Sequence, residues 1–151
     1  KAQSYEGGVR TPMIAYWPSG IRNKGGFSDH AGHVIDFMPT VLELAQAKYP
    51  SSVNGHTITP YAGTSLVAAL KGNDNNQTAT LYNEHFNARY IRSGNWKLVS
   101  LAQDSSWHLY QINTDETEVN DLSKQYPDTV KALAAQWRQW ANSHAVFPKH
   151  K

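Results

Sequence analysis

The sequence predicts an α+β chain: a small antiparallel β-sheet packed with a C-terminal helix, preceded by linking helices and one strand of a parallel sheet. Three observations carry this. Residues 81–85, 88–92, 96–101 and 107–112 are rich in aromatic and β-branched side chains and are separated by turn signals, which is the pattern of an antiparallel meander. Apolar residues Val130, Leu133, Ala134, Trp137 and Ala141 then recur at helical spacing. The run from Met13 to Trp17, closed by Pro18-Ser19-Gly20, is short and apolar on both faces, as in a strand buried on two sides.

Composition narrows the function classes. The 151 residues are one ordinary domain by length, and 40% hydrophobic content suffices for a core. No cysteine is present, which removes disulfides, thiolate metal sites and cysteine nucleophiles from this chain. Fourteen Lys and Arg oppose 12 Asp and Glu and are scattered along the chain, so a nucleic acid partner is not expected. No apolar run approaches the ~20 residues of a membrane span.

The elements follow in order. Residues 21–33 are polar and Gly-rich and read as a loop, and 36–48 as a helix with Phe37, Met38, Val41, Leu42 and Ala45 on one stripe, Asp36 as N-cap and Pro39 in the first turn. Residues 49–63 read as a connecting loop, 65–70 as a short helix stopped by Gly72, and 72–78 as an exposed turn. Gly94-Asn95 suits a tight hairpin, and Tyr126-Pro127-Asp128 opens the last helix. The chain divides on this reading into 1–78 and 79–151.

Few residues suggest chemistry by themselves. His30, His33 and Asp36 are the tightest group of metal-ligating types, but a capping role for Asp36 explains it without a metal. Trp96, Trp107, Trp137 and Trp140 with Tyr82, Tyr90 and Tyr110 would suit either a sugar-stacking platform or a core, and their places on strand and helix favour the core. No phosphate-cradling glycine loop, GxSxG elbow or HExxH occurs. In Tyr5-Glu6-Gly7-Gly8-Val9-Arg10, spacing alone indicates a tight turn with Glu6 and Arg10 paired across it.

That segment carries a resemblance. KAQSYEGGVRTPMIAYWPSGI resembles the K-x-x-x-Y-E-G-G-x-R-x-P element of type I sulfatases, followed by a strand and W-P. HVIDFMPTVLELA resembles their D-x-x-P-T helix, GTSLVAALKG their G-x-S-L-x-x-x-L-x-G element, and RYIRSGNWKLV their R-x-I-R-x-G-x-W-K-L strands. WHLYQINTDETEVNDL is similar to the L-Y-D-L-x-x-D-x-x-E-x-x-D-L segment, with Gln111 for the usual Asp and no proline after Asp115, changes read as lying in a surface connection.

The resemblance implies the C-terminal part of an arylsulfatase-like enzyme of the alkaline phosphatase superfamily, with residues 13–17 as one strand of its large α/β sheet. It implies sulfate ester hydrolysis by a formylglycine and calcium located upstream, and none of those motifs occurs here, so the chain alone is expected to be inactive and to hold no metal or cofactor. One active-site position carries over: Lys1, as a sulfate-binding ammonium. Glu6, Gly7, Gly8 and Arg10 match the same motif as structural residues that aim it. His85, Gln103 and Asp104 fall where the family places part of the substrate rim. The expected partners are a sulfate ester, aryl or sugar, and the upstream catalytic part, and the unpaired strand favours self-association. The family implies a secreted or periplasmic protein. A phosphodiesterase or phosphatase of the same superfamily, and a free-standing sugar-binding module, are the alternatives.

Overall fold

The structure, a computed structural model, describes residues 3–73, 79–102 and 104–146. In chain order its elements are α1 (Glu6–Val9), a 3-10 turn (Val34–Asp36), α2 (Phe37–Leu44), β1 (Ser52–Val53), β2 (His56–Thr57), α3 (Val67–Leu70), β3 (Leu81–His85), β4 (Ala88–Ser93), β5 (Trp96–Ser100), β6 (His108–Gln111) and α4 (Pro127–Ser143). They form two compact units: the segment up to Pro12 with the chain from Ala79 onward, and Met13–Thr78. The segment up to Pro12 therefore packs with the sheet.

In the sheet unit, β3-β4-β5-β6 is an antiparallel meander. Its register aligns Tyr82, Ile91, Leu98 and Leu109 across the four strands. Ile91, Leu98 and Leu109 are fully buried beneath Leu133, Trp137 and Ala141 of α4, as the 3.6-residue spacing requires. The Trp137 indole N–H donates to the Asn83 carbonyl at 3.0 Å. The aromatics are core rather than platform: Trp107 meets Trp137 edge to face, Tyr82 stacks on Trp140, and the Arg89 guanidinium lies 4.7 Å from the Trp107 ring centroid.

Two tight turns set the register. Phe86 and Asn87 both have positive φ, 49° and 71°, which matches the right-handed twist of the hairpin they join. Gly94 does the same for β4 and β5 at φ 57°. The opposite face of the sheet carries Tyr90, Val99 and Tyr110, with Ile112 beyond β6, and is covered by Tyr5 and Val9. The meander is thus buried on both faces around β5.

The 13–78 unit is held by a latch between two short motifs. Asp36 accepts hydrogen bonds from the His33 amide at 2.7 Å and the Thr64 amide at 2.8 Å. The Thr40 hydroxyl donates to the Asp36 carbonyl at 2.6 Å and accepts from the Leu66 amide at 2.9 Å. Gly63 closes the latch at φ 100°, where a Cβ would come within 2.6 Å of the Ile35 carbonyl oxygen.

Three expectations change here. Residues 13–17 form no strand among the described residues, and Ile14 and Tyr16 are 95% and 90% exposed. Such a strand exists only against a neighbour, and the described residues supply none. Asp36 does not cap α2 with its side chain; it is the third residue of a capping box whose N-cap is His33, and the His33 ring accepts the Ile35 amide. Within the expected loop 49–63 lies the small hairpin β1-β2, turned by Asn54 and Gly55 at φ 50° and 80°.

Candidate functional site

A helix of four residues cannot hold itself, because nucleating one turn costs more than its few hydrogen bonds return. α1 is held from outside. Glu6 is buried and its Oε1 lies 2.7 Å from Lys97 Nζ; Glu118 Oε1 lies 2.9 Å from the same nitrogen. The Glu6 amide also donates to Glu118 Oε2. Lys97 is on β5 with its side chain wholly buried, and its ammonium sits 5.1 Å from the Tyr90 ring centroid.

Local structure delivers each member. Lys97 follows Trp96 on a strand, so it faces away from α4 and towards α1. Asp115 accepts the amides of Val119 and Asn120 at 3.1 and 2.9 Å, winding the loop in which Glu118 takes φ 55°. Those bonds hold the Asp115 carboxyl below the usual range. Burial pushes the Glu118 carboxyl up, and the Lys97 charge offsets this only in part. Burial and the Glu6 charge likewise raise the Tyr90 phenol. The segment around Glu118 is therefore not a plain surface connection.

The residues before α1 are fixed as well. A Cβ on Gly8 would meet the Gln3 carbonyl oxygen at 2.5 Å, so the chain doubles back where only glycine leaves room. Gly7 has open space around its Cβ position. Ser4 is 1% exposed, and Tyr5 meets Tyr110 edge to face at 5.9 Å. The expected Glu6–Arg10 pairing is replaced: Glu6 turns to Lys97, and Arg10 Nη1 binds Glu116 Oε2 at 2.7 Å in solvent. Burial of Glu6 with an ammonium across the sheet is the reason.

Of the rim candidates, His85 and Asp104 are described, and both lie towards one end of the meander. His85 ends β3, is exposed, and packs edge to face on Phe86 at 4.5 Å. Asp104 lies in the β5-β6 connection, which begins at the same end, and accepts the Ser106 amide at 2.8 Å. Ser106 holds its carboxyl below the usual range. β4 intervenes, so the strands bearing His85 and leading to Asp104 are about 10 Å apart. Lys1 and Gln103 lie outside the described residues. Among the described residues no group of three or more His, Asp or Glu is placed to hold a metal ion.

Sequence reasoning missed Lys97 and Glu118. The signal was a lysine inside a strand whose neighbours are apolar on both faces, since such an ammonium must be buried and must find acid partners.

A family model described as N-sulphoglucosamine sulphohydrolase, C-terminal, matches residues 1–143. The chain belongs to this family of sulfatase C-terminal parts. Similar proteins include an uncharacterized sulfatase of Schizosaccharomyces pombe, 30% identical over 138 residues, covering 87% of this chain and 25% of that protein. An N-acetylgalactosamine-6-O-sulfatase of Bacteroides thetaiotaomicron is 26% identical over 149 residues, covering 89% and 28%. Among solved structures, Ps i-CgsB superimposes with a TM-score of 0.58 at 25% identity over 74% of this chain and 24% of that one. The sulfatase chain thus spans about a quarter of the length of the curated relatives it matches.

Proposed function

We propose that the intact protein hydrolyses a sulfate ester of a sugar, and that this chain supplies Lys1 as one cation on the sulfate. The reading rests on the family and on one observation: the Y-E-G-G turn that follows Lys1 in sequence is clamped to the sheet through Glu6 and Lys97. A preorganised ammonium suits the task, since the charge on the sulfate oxygens redistributes as the sulfur–oxygen ester bond breaks. The upstream part would supply the formylglycine nucleophile and the calcium that neutralises the sulfate. His85, Gln103 and Asp104 would face the leaving sugar, and the 151-residue chain alone would be inactive.

The sugar assignment draws on relatives named as N-acetylgalactosamine-6-O-sulfatase and N-acetylglucosamine-6-O-sulfatase, and on Ps i-CgsB, also solved with k-i-k-neocarrahexaose at 26% identity to this chain. A secreted or periplasmic location is part of the same proposal. No described helix is long and apolar enough to cross a membrane.

The test compares sulfate release from 6-O-sulfated amino sugars with phosphate release from the matching 6-phosphates, using the intact protein. Preference for the sulfates supports the reading. Preference for the phosphates transfers the protein to the phosphatase side of the superfamily.

A further inference from the structure

We infer that Lys97 and Glu118 are positioning residues for the sulfate-binding segment. The inference rests on Lys1 as the sulfate cation and extends it to two residues far away in sequence. Glu6, Lys97 and Glu118 come from three separate motifs, 91 residues apart in one pair and 112 in another. They meet in one buried cluster of two carboxylates and one ammonium.

Such a cluster is a poor source of stability, because desolvating its charges offsets most of their attraction. Its geometry does something else. Lys97 holds the Glu6 side chain and Glu118 accepts the Glu6 amide, so α1 is gripped at both its side chain and its backbone. Gly8 and Ser4 carry that constraint back to Gln3. Every contact in this chain of packing fixes where the polypeptide entering α1 runs, and none of it involves a group that touches sulfate. Shifting a reacting group by an ångström costs about a hundredfold in rate, so the clamp acts on turnover through the position of that segment.

The experiment is a double-mutant cycle in the intact enzyme on a small aryl sulfate. Glu118→Ala removes the acceptor of the Glu6 amide and the second carboxylate on Lys97, and leaves Lys97 and Glu6 as a balanced pair. Gly8→Ala displaces Gln3 without touching the charges. Lys97→Met is the third variant; should it fail to fold, the other two decide. Each folded variant is expected to lose about ten- to a hundredfold in kcat with KM near that of the parent. Combined with Lys1→Ala, neither Glu118→Ala nor Gly8→Ala should slow the enzyme by more than about threefold beyond Lys1→Ala alone, because both act through the same residue.

Losses that multiply in the double variants would show that the clamp acts independently of Lys1 and overturn the inference. So would parental kcat in folded Glu118→Ala and Gly8→Ala while Lys1→Ala is slow, a result that leaves the sulfate-lysine reading standing. Parental kcat in Lys1→Ala itself overturns that reading, and the positioning role with it.

Discussion

The carboxylate of Asp36 receives the backbone amide of Thr64 at 2.8 Å, tying the entrance of α2 to the loop before α3 across 28 residues. With the His33 amide on its other oxygen, Asp36 serves as acceptor for two segments at once.

Replacing Asp36 with alanine leaves both amides without that acceptor in a half-buried setting. We expect a loss of about 2 kcal/mol, read as a lower urea midpoint with an unchanged slope. An unchanged midpoint would mean that water replaces the carboxylate at no cost.

The pH dependence of stability should include a contribution from Asp121. Partial burial raises its carboxyl, but hydrogen bonds from the Ser123 and Leu109 amides and the His108 ring prevail and bring it to about 2. A carboxyl lowered in the folded state stabilises the fold above its unfolded value, about 3.9, and loses that contribution as pH falls through the folded value. Asp121→Asn should therefore melt lower than the parent at pH 7, and the gap should close between pH 4 and pH 2. A gap that stays constant across that range would contradict the assignment.

The sheet and the last helix were legible because their signals are local. Tyr82, Ile91, Leu98 and Leu109 alternate with residues of the other face, and Leu133, Trp137 and Ala141 recur on one helix stripe. The hairpin at Asn54-Gly55 carried its turn signal too, but two-residue strands with exposed side chains give no alternation to read. Residues 13–17 have the composition of a buried strand, yet pairing is a property of two segments and composition describes one. The ion cluster was the least legible feature. Nothing near Glu6 in sequence distinguishes Lys97 from Arg10 as its partner, and only the packing of α1 on the sheet decides between them.

Apolar exposure should make the isolated chain self-associate. Ile14, Tyr16 and Phe27 are nearly fully exposed, and Phe37, Met38, Val41 and Leu44 of α2 are about half exposed within the same unit. Apolar side chains left in water favour association when they gather on one face. Light scattering of the 151-residue chain should show dimers or larger species that dissociate on dilution. A clean monomer at high concentration, with no dye bound to apolar surface, would count against this.

The central claim is that Lys1 binds the sulfate, and kinetics of Lys1→Ala in the intact protein test it most directly. Loss of one preorganised cation predicts a fall in kcat on the order of a hundredfold or more, with the fold preserved. Turnover within about threefold of the parent would contradict the account.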